Sequence, residues 1–495
     1  MSLTKSDWIS RVEKLDFHHQ LFINGKYVNS LSGKTFDAVS PIDQRVLCKI
    51  SAAQEEDVDV AVKSAKSSFE SGVWRDLNPR QKKELMLKWA DLVRENYQEI
   101  ALLETLEVGK PISDTSGYDA LAVARNIQWY AETIDKTYDE IAPAPKNALA
   151  MITREPLGVI GAIVPWNYPI VIASWKFAPA MAMGNSVVLK PSEESSLATL
   201  RIAQLAVEAG IPEGVFNVVT GLGNEAGKAL ALHKDVAKIA FTGSPGVGRM
   251  MLQYAAESNM KQVSLELGGK SPQVILNDVV DLDAAASTVA WGIFYNSGQT
   301  CNAGSRVIVQ EGIKDALFEK LQKFVSEFKW GNPLDPSTQM GPVVSKKQRD
   351  RINSYLDLVG KGGERFVFGG QQPTGDDCQF APTLIDGAAH DSKLAQEEIF
   401  GPVIVAEVAK DEAHALELAN GTEYGLAASV WSGNISRAHN FARKLRAGTV
   451  WINTFDMSDV ITPFGGFKNS GSGRDKSLHA LDAYSALKTT WVDLN

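Results

Sequence analysis

From residue 154 onward, short apolar, β-branched runs alternate with alanine-rich stretches of helical period, and this alternation constrains the fold most. Gly158-Val159-Ile160-Gly161-Ala162-Ile163-Val164 reads as a strand. Ser186-Val187-Val188-Leu189-Lys190 is a second, followed by a helix over 197–209. Val215-Phe216-Asn217-Val218-Val219 is a third, with a helix over 225–232. Ala237-Lys238-Ile239-Ala240-Phe241-Thr242 is a fourth, with a helix over 247–258. Strand–helix alternation at this spacing predicts an α/β fold with a parallel sheet and helices on both faces. Such sheets bind ligands beyond the carboxyl ends of their strands. A second alternating region spans about 271–450. Val274-Ile275-Leu276 and Val307-Ile308-Val309 read as its strands, and 314–328 and 411–418 as helices. The junction between the two regions, near 265–271, is where a cleft is expected. Upstream, Leu21 to Val28 reads as a short hairpin, and 55–72 and 80–109 read as amphipathic helices.

Length and charge narrow the possibilities. A chain of 495 residues implies roughly two to four domains. The net charge of −9, without a basic run, gives a nucleic-acid partner no electrostatic footing. The apolar stretch 158–182 is interrupted by Pro165, Asn167, Pro169, Lys176 and Pro179, which suits a buried turn better than a bilayer span. The opening Met1-Ser2-Leu3-Thr4-Lys5-Ser6-Asp7-Trp8 lacks the pattern of a secretory signal, so a cytoplasmic location is expected. Cys48, Cys301 and Cys378 are odd in number and far apart, which suggests neither a disulfide framework nor a metal site. Cys48 fits a core strand, Cys378 beside Asp376 and Asp377 a surface loop, and His18-His19 a surface pair.

Four segments carry candidate chemistry. In Gly298-Gln299-Thr300-Cys301-Asn302-Ala303-Gly304 small residues surround a lone thiol, which a turn could present to a cleft. A core cysteine is the plainer alternative. In Val263-Ser264-Leu265-Glu266-Leu267-Gly268-Gly269-Lys270 a carboxylate ends an apolar run. A strand end would bring it to the ligand edge, whereas a surface ion pair is the simpler role. Pro165-Trp166-Asn167-Tyr168-Pro169 follows a strand, and its amide could hold a developing oxyanion or merely bond within its loop. Phe241-Thr242-Gly243-Ser244-Pro245-Gly246-Val247-Gly248 ends a strand and opens a helix, where backbone amides favour an anion. Gly221-Leu222-Gly223 with Gly227 is nearer the usual dinucleotide fingerprint but reads equally as a turn.

Together with Lys190-Pro191-Ser192-Glu193, Glu397-Glu398-Ile399-Phe400-Gly401-Pro402-Val403 and Pro463-Phe464-Gly465-Gly466-Phe467-Lys468, these segments resemble the aldehyde dehydrogenase superfamily over nearly the whole chain. Glu257-Ser258-Asn259-Met260-Lys261 and the tail Gly471 to Leu481 resemble the γ-glutamyl-γ-aminobutyraldehyde and ω-aminoaldehyde dehydrogenases of polyamine and putrescine breakdown. The resemblance implies a Rossmann-like NAD-binding domain (1–130 and 149–265), an α/β catalytic domain (266–465) and a β oligomerisation arm (131–148 and 480–495). A homodimer or homotetramer follows from that arm.

The resemblance also implies roles. Cys301 matches the nucleophile, Glu266 the general base and Asn167 the oxyanion donor. The cofactor set is Val164, Pro165, Trp166, Lys190, Ser192, Glu193, Gly223, Gly227, Phe241, Thr242, Gly243, Ser244, Val247, Leu267, Gly268, Glu398 and Phe400. A thiolate adds to the aldehyde, hydride passes to NAD, and a carboxylate-activated water hydrolyses the thioester, with no metal. A free thiol titrates at about 8.5, so the site is expected to favour the thiolate. Tyr168, Trp175, Asn302, Met457, Asp459 and Phe464 are implied as tunnel residues. The chain departs from its nearest likeness at Leu267 and over Phe455-Asp456-Met457-Ser458-Asp459-Val460. There Asp459 keeps an acidic match and Met457 makes the tunnel more apolar. The alternatives are a CoA-acylating enzyme, which needs no hydrolytic base, and a non-catalytic member of the fold.

Glu193 decides the expected cofactor form. A carboxylate accepts bonds from both adenosine ribose hydroxyls and repels a 2′-phosphate. Steady-state kinetics should therefore give a lower KM for NAD than for NADP; the reverse order would contradict this role of Glu193.

Overall fold

The computed structural model describes residues 3–375 and 377–495. Five parallel strands form the centre of an eight-stranded sheet: β1 (Val159–Ile163), β2 (Ser186–Lys190), β3 (Phe216–Val218), β4 (Val236–Thr242) and β5 (Gln262–Glu266). Their order is β5-β4-β1-β2-β3. The chain steps outward from β1 to β3, then returns past β1 to lay down β4 and β5. The crevice at this reversal, above β1 and β4, is where such sheets hold ligands. β1 and β2 are buried at every position, which is why they read as unbroken apolar runs rather than alternating ones. The hairpin Leu21–Ile23/Lys26–Val28 caps the β3 edge. Its Asn24-Gly25 turn holds φ of 52° and 74°, the geometry of a tight two-residue hairpin.

The second sheet has seven strands. Six are parallel: β6 (Pro272–Ile275), β7 (Arg306–Gln310), β8 (Thr383–Asp386), β9 (Val403–Ala409), β10 (Ala427–Trp431) and β11 (Thr449–Ile452). Arg365–Phe368 adds an antiparallel edge beside β8. A separate three-stranded antiparallel sheet joins Glu140–Ala142, Ala148–Pro156 and Ser485–Asp493. Ala148–Pro156 is its middle strand, so this arm reaches beyond the expected boundary at 148.

Several expectations shift. The segment 80–109 is two helices, Pro79–Glu95 and α1 (Tyr97–Val108), broken at Asn96. The stretch 158–182 divides into β1, a loop and α2 (Pro169–Ala182). Among the described residues no helix is long and apolar enough to cross a membrane. Cys48 is half-buried in the strand Val46–Ser51. Cys378 is not a surface residue: it is 1% exposed, packed with Phe380, Ile352 and Leu394. The acidic neighbour Asp377 stays outside while the thiol turns in. Of the histidine pair, His18 stacks on Tyr27 at 4.5 Å between centroids, and His19 is exposed.

Arg306 fixes the junction of the two sheets. Its buried guanidinium donates to Glu407 at 2.8 Å, to the Lys270 carbonyl at 3.1 Å and to the Leu418 and Ala419 carbonyls at 3.0 and 3.1 Å. The Lys270 bond anchors the segment that leaves β5. Removing one partner of a buried pair strands the other, at a cost of about 3–5 kcal/mol. Arg306→Leu should therefore lower stability by about that amount in denaturant unfolding; an unchanged midpoint would show that the network is dispensable.

Candidate active site

Ile163, Lys190, Thr242 and Glu266 end β1, β2, β4 and β5, so all four reach the same carboxyl edge. Above it lies a cavity of about 700 Å³ bounded by Pro165, Trp166, Thr242, Gly243, Ser244, Leu267, Gly268, Cys301, Glu398 and Phe400. Ser244 caps α3 (Pro245–Glu257), accepting from the Val247 amide at 3.4 Å, and turns that helix's free amides towards the cavity. The buried Thr242 hydroxyl has no partner. A Cβ on Gly268 would stand 2.2 Å from the Glu398 carboxylate, so a side chain there would displace Glu398 from its place. Glu398 accepts from the Gly269 amide at 3.0 Å, and burial pushes its carboxyl up to about 7. Trp166 and Phe400 meet edge to face at 5.4 Å. The unpaired hydroxyl, the helix N-terminus and the side-chain-free floor suit a dinucleotide.

The remaining expected cofactor residues lie outside this cavity's lining. Lys190 pairs with Glu193 at 3.2 Å, and its own amine is lowered by burial. The Ser192 hydroxyl accepts from the Glu194 amide. The Val164 amide donates to the Lys190 carbonyl. Phe241 is buried against Gly243, and Val247 is partly exposed. Gly227 sits behind the Lys190 stem, and a Cβ on Gly223 would meet open space. These two glycines begin and end a π-helical turn, Gly223–Gly227. Neither lines this cavity.

Cys301 belongs to the walls of two cavities, the one above and a tunnel of about 1460 Å³. It follows α4 (Leu282–Phe294) and a turn in which Asn296, Ser297 and Gly298 hold φ of 49°, 56° and 70°. Left-handed backbone at two non-glycine residues is strain that the surroundings must enforce. Three bonds do so. Asn167 Nδ2 donates to the Gln299 carbonyl at 2.8 Å, Asn296 Nδ2 to the Asn167 carbonyl at 3.0 Å, and Tyr168 Oη shares a bond with Thr300 Oγ1 at 3.0 Å. The loop after β1 thus grips the residues leading to the thiol.

Glu266 is 4% exposed, and neither carboxylate oxygen has a partner. Burial first, and then Asp475, raise its carboxyl well above the usual range; Lys176 and Arg474 oppose them. Lys176 pairs with Asp475 at 2.5 Å. The expected thiolate is not favoured here. Burial raises the Cys301 thiol, and Glu398, Glu266 and Asp456 add to it, with no cation among the causes.

The tunnel is walled by Tyr168, Trp175, Trp291, Tyr295, Phe455 and Phe464. Asn302 and Met457 also line it, and Met457 is 71% exposed. Asp459 does not line it; its carboxylate accepts from the Ile461 amide on an exposed turn. Asp456 takes the acidic position instead. It accepts from Asn302 Nδ2 at 2.6 Å, and the protein around it pushes its carboxyl up to about 6. Asp456 lies three residues before Asp459 and beside the buried Phe455, and that apolar neighbour was the available signal. Asn296, Gln299 and Thr300 were also missed, since nothing in their residue types separates bracing polar groups from exposed ones.

The chain matches the model of the Aldehyde dehydrogenase family over residues 27–490. It is 45% identical to the NADP/NAD-dependent aldehyde dehydrogenase PuuC of Escherichia coli, over 98% of both chains. It is 44% identical to the aminoacetaldehyde dehydrogenase of Pseudomonas aeruginosa, over 99% of both. Among solved structures it is similar to an indole-3-acetaldehyde dehydrogenase complexed with NAD+, with a TM-score of 0.98, 49% identity and full coverage of both chains. It is likewise similar to the γ-glutamyl-γ-aminobutyraldehyde dehydrogenase of Burkholderia cenocepacia, with a TM-score of 0.97, 51% identity and full coverage of both.

A thiol raised by burial and neighbouring carboxylates reacts slowly near neutrality. In cofactor-free protein, iodoacetamide alkylation of Cys301 should keep accelerating with pH beyond the range of an ordinary cysteine. A rate that plateaus below pH about 8 would mark a thiol shifted in the opposite direction.

Proposed function

The chain belongs to the aldehyde dehydrogenase family, and on that premise we propose that it oxidises aldehydes bearing a distal amino or γ-glutamylamino group to the carboxylic acid. Cys301 Sγ, once deprotonated, attacks the aldehyde carbon and forms a tetrahedral adduct. Asn167 keeps one N–H on the Gln299 carbonyl, which leaves the other for the new oxyanion, beside the Cys301 amide. NAD, when bound, supplies the acceptor for the hydride that leaves this carbon. Thr242, Ser244, Gly268 and Glu398 would hold its near half, and Lys190, Ser192 and Glu193 the adenosine end. A thioester then remains on Cys301. Glu266 removes a proton from a water, which adds to the thioester and frees the acid and the thiol. The observation that supports this reading most is that one sulfur closes both cavities.

The substrate class rests on Asp456, the carboxylate among the tunnel's aromatic walls. An ammonium group would pair with that carboxylate through a charge-assisted hydrogen bond. The rings favour a second reading, a flat aromatic acetaldehyde. Glu193 favours NAD over NADP, while its pairing with Lys190 limits the repulsion of a 2′-phosphate. We assign 1–130 and 157–265 to cofactor binding, 266–465 to catalysis, and the arm, 131–156 with 480–495, to assembly as a homodimer or homotetramer in the cytoplasm. Exposed Ile141, Leu487 and Trp491 on that arm support association.

Two variants test the assignment. Cys301→Ala should abolish NADH formation from 4-aminobutyraldehyde. Glu266→Gln should retain a first-turnover burst while steady-state kcat falls about 10²–10⁴-fold. Because burial raises the Glu266 carboxyl, the acid limb of wild-type kcat should lie above the ordinary carboxylate range. Full turnover by either variant would remove that residue from the chemistry, and turnover that depends on CoA would favour the acylating alternative.

A further inference from the structure

Lys476 is a buried cation that the reaction above does not use. It is 3% exposed. Its Nζ donates to Ser458 Oγ at 3.1 Å and lies 5.4 Å from the Trp175 ring centroid and 5.8 Å from that of Phe464. Ser458, Trp175 and Phe464 all line the tunnel. The ammonium thus stands directly behind the tunnel wall. Among the described residues it forms no ion pair; Asp456, Asp459 and Asp475 act on it only from farther off. Three N–H donors served by one hydroxyl and two ring faces leave a buried charge half satisfied. Such groups are ordinarily paired.

The backbone supports a purpose for this placement. Lys476 and Ser477 hold φ of 64° and 54°, consecutive left-handed residues without a glycine. The Ser477 amide is tied to the Val460 carbonyl, which joins this turn to the segment carrying Asp456 and Ser458. The strained turn holds Asp475 on Lys176 and delivers Lys476 to the tunnel wall. The same segment therefore presents an acceptor, Asp456, and, through Ser458, a donor pair.

We propose that Ser458, backed by Lys476, forms with Asp456 on the same segment a bipolar subsite that selects aldehydes tipped with an α-amino-carboxylate, as in a γ-glutamylamino aldehyde. Ser458 Oγ, polarised by the Lys476 Nζ that donates to it from behind the wall, gives its own O–H to the carboxylate, and Asp456 takes the ammonium. A bare ω-amine satisfies Asp456 alone and leaves Lys476 as a like charge nearby. Propanal engages neither group. The assignment rests on the tunnel being the aldehyde's path, as proposed above.

The test compares γ-glutamyl-4-aminobutyraldehyde, 4-aminobutyraldehyde and propanal on the wild type, Lys476→Met and Lys476→Arg. The wild type should prefer the glutamylated aldehyde over 4-aminobutyraldehyde in kcat/KM. Lys476→Met should lower the ratio of kcat/KM for the glutamylated aldehyde to that for propanal by about tenfold or more, through KM, the size expected for one charged hydrogen bond. Lys476→Arg should restore most of it. If Lys476→Met does not fold, Ser458→Ala on the tunnel lip should lower the same ratio about threefold. An unchanged ratio, or equal losses on all three aldehydes, overturns the subsite and leaves the dehydrogenase assignment standing. A wild type that oxidises none of the three overturns both.

Discussion

The site depends on one brace between its halves: Asn167 Nδ2 on the Gln299 carbonyl, answered by Asn296 Nδ2 on the Asn167 carbonyl. Asn167 stands on the loop after β1 of the first sheet, and Gln299 and Asn296 lead from α4 of the second domain to Cys301. The same bonds that hold the left-handed turn at 296–298 also leave the Asn167 amide beside the thiol. Loss of this brace would release backbone strain and unseat the proposed oxyanion donor together. Bracing and chemistry are thus not separable properties of Asn167.

Around that brace the electrostatics favour neutral forms. Glu266, Glu398 and Asp456 are all raised, with burial the largest cause in each. Each also raises the Cys301 thiol. The sulfur is therefore governed by what occupies its cavities more than by a built-in base. Lys176, the largest influence lowering Glu266, is already committed to Asp475. As the proposed base, a carboxylate whose oxygens lack partners is ready to orient a water, and its raised carboxyl sets the pH at which it would do so.

Strand positions and the order of motifs were legible because they rest on strong local patterns. Runs buried on both faces mark β1 and β2, and an apolar run ending in Glu266 marks the edge of β5. Once those ends are known, the doubly wound topology brings Thr242, Lys190 and Glu266 together. Loop conformation was less legible. Gly223 and Gly227 resemble a phosphate-binding fingerprint, yet they begin and end a π-helical turn and do not line the cavity. Asp459 and Asp456 differ in sequence by three positions, and only the turn between them decides which faces the tunnel. The protonation of Cys301 was read from a free thiol, and protonation depends on burial and distant carboxylates that no local pattern encodes.

The tunnel wall itself is held from behind by charge. Lys110 is fully enclosed on the far side of Tyr168, with Nζ 3.7 Å from the ring centroid. It contacts Asp119 at 2.6 Å and Glu104 at 3.5 Å, and Asp114 lies close enough to feel both Lys110 and Asp119. One lysine cannot neutralise three carboxylates in a dry interior. Burial and Asp119 accordingly push Glu104 well up, and burial raises Asp114 to about 7. A cluster that must keep protons to remain buried is costly for stability alone, since apolar residues of similar volume would often serve better. Its return is geometric: Lys110 fixes one face of Tyr168, the Tyr168 hydroxyl fixes Thr300, and Thr300 precedes the nucleophile. The same buried cation thus touches the aromatic wall and, through Tyr168 and Thr300, the turn that carries the sulfur.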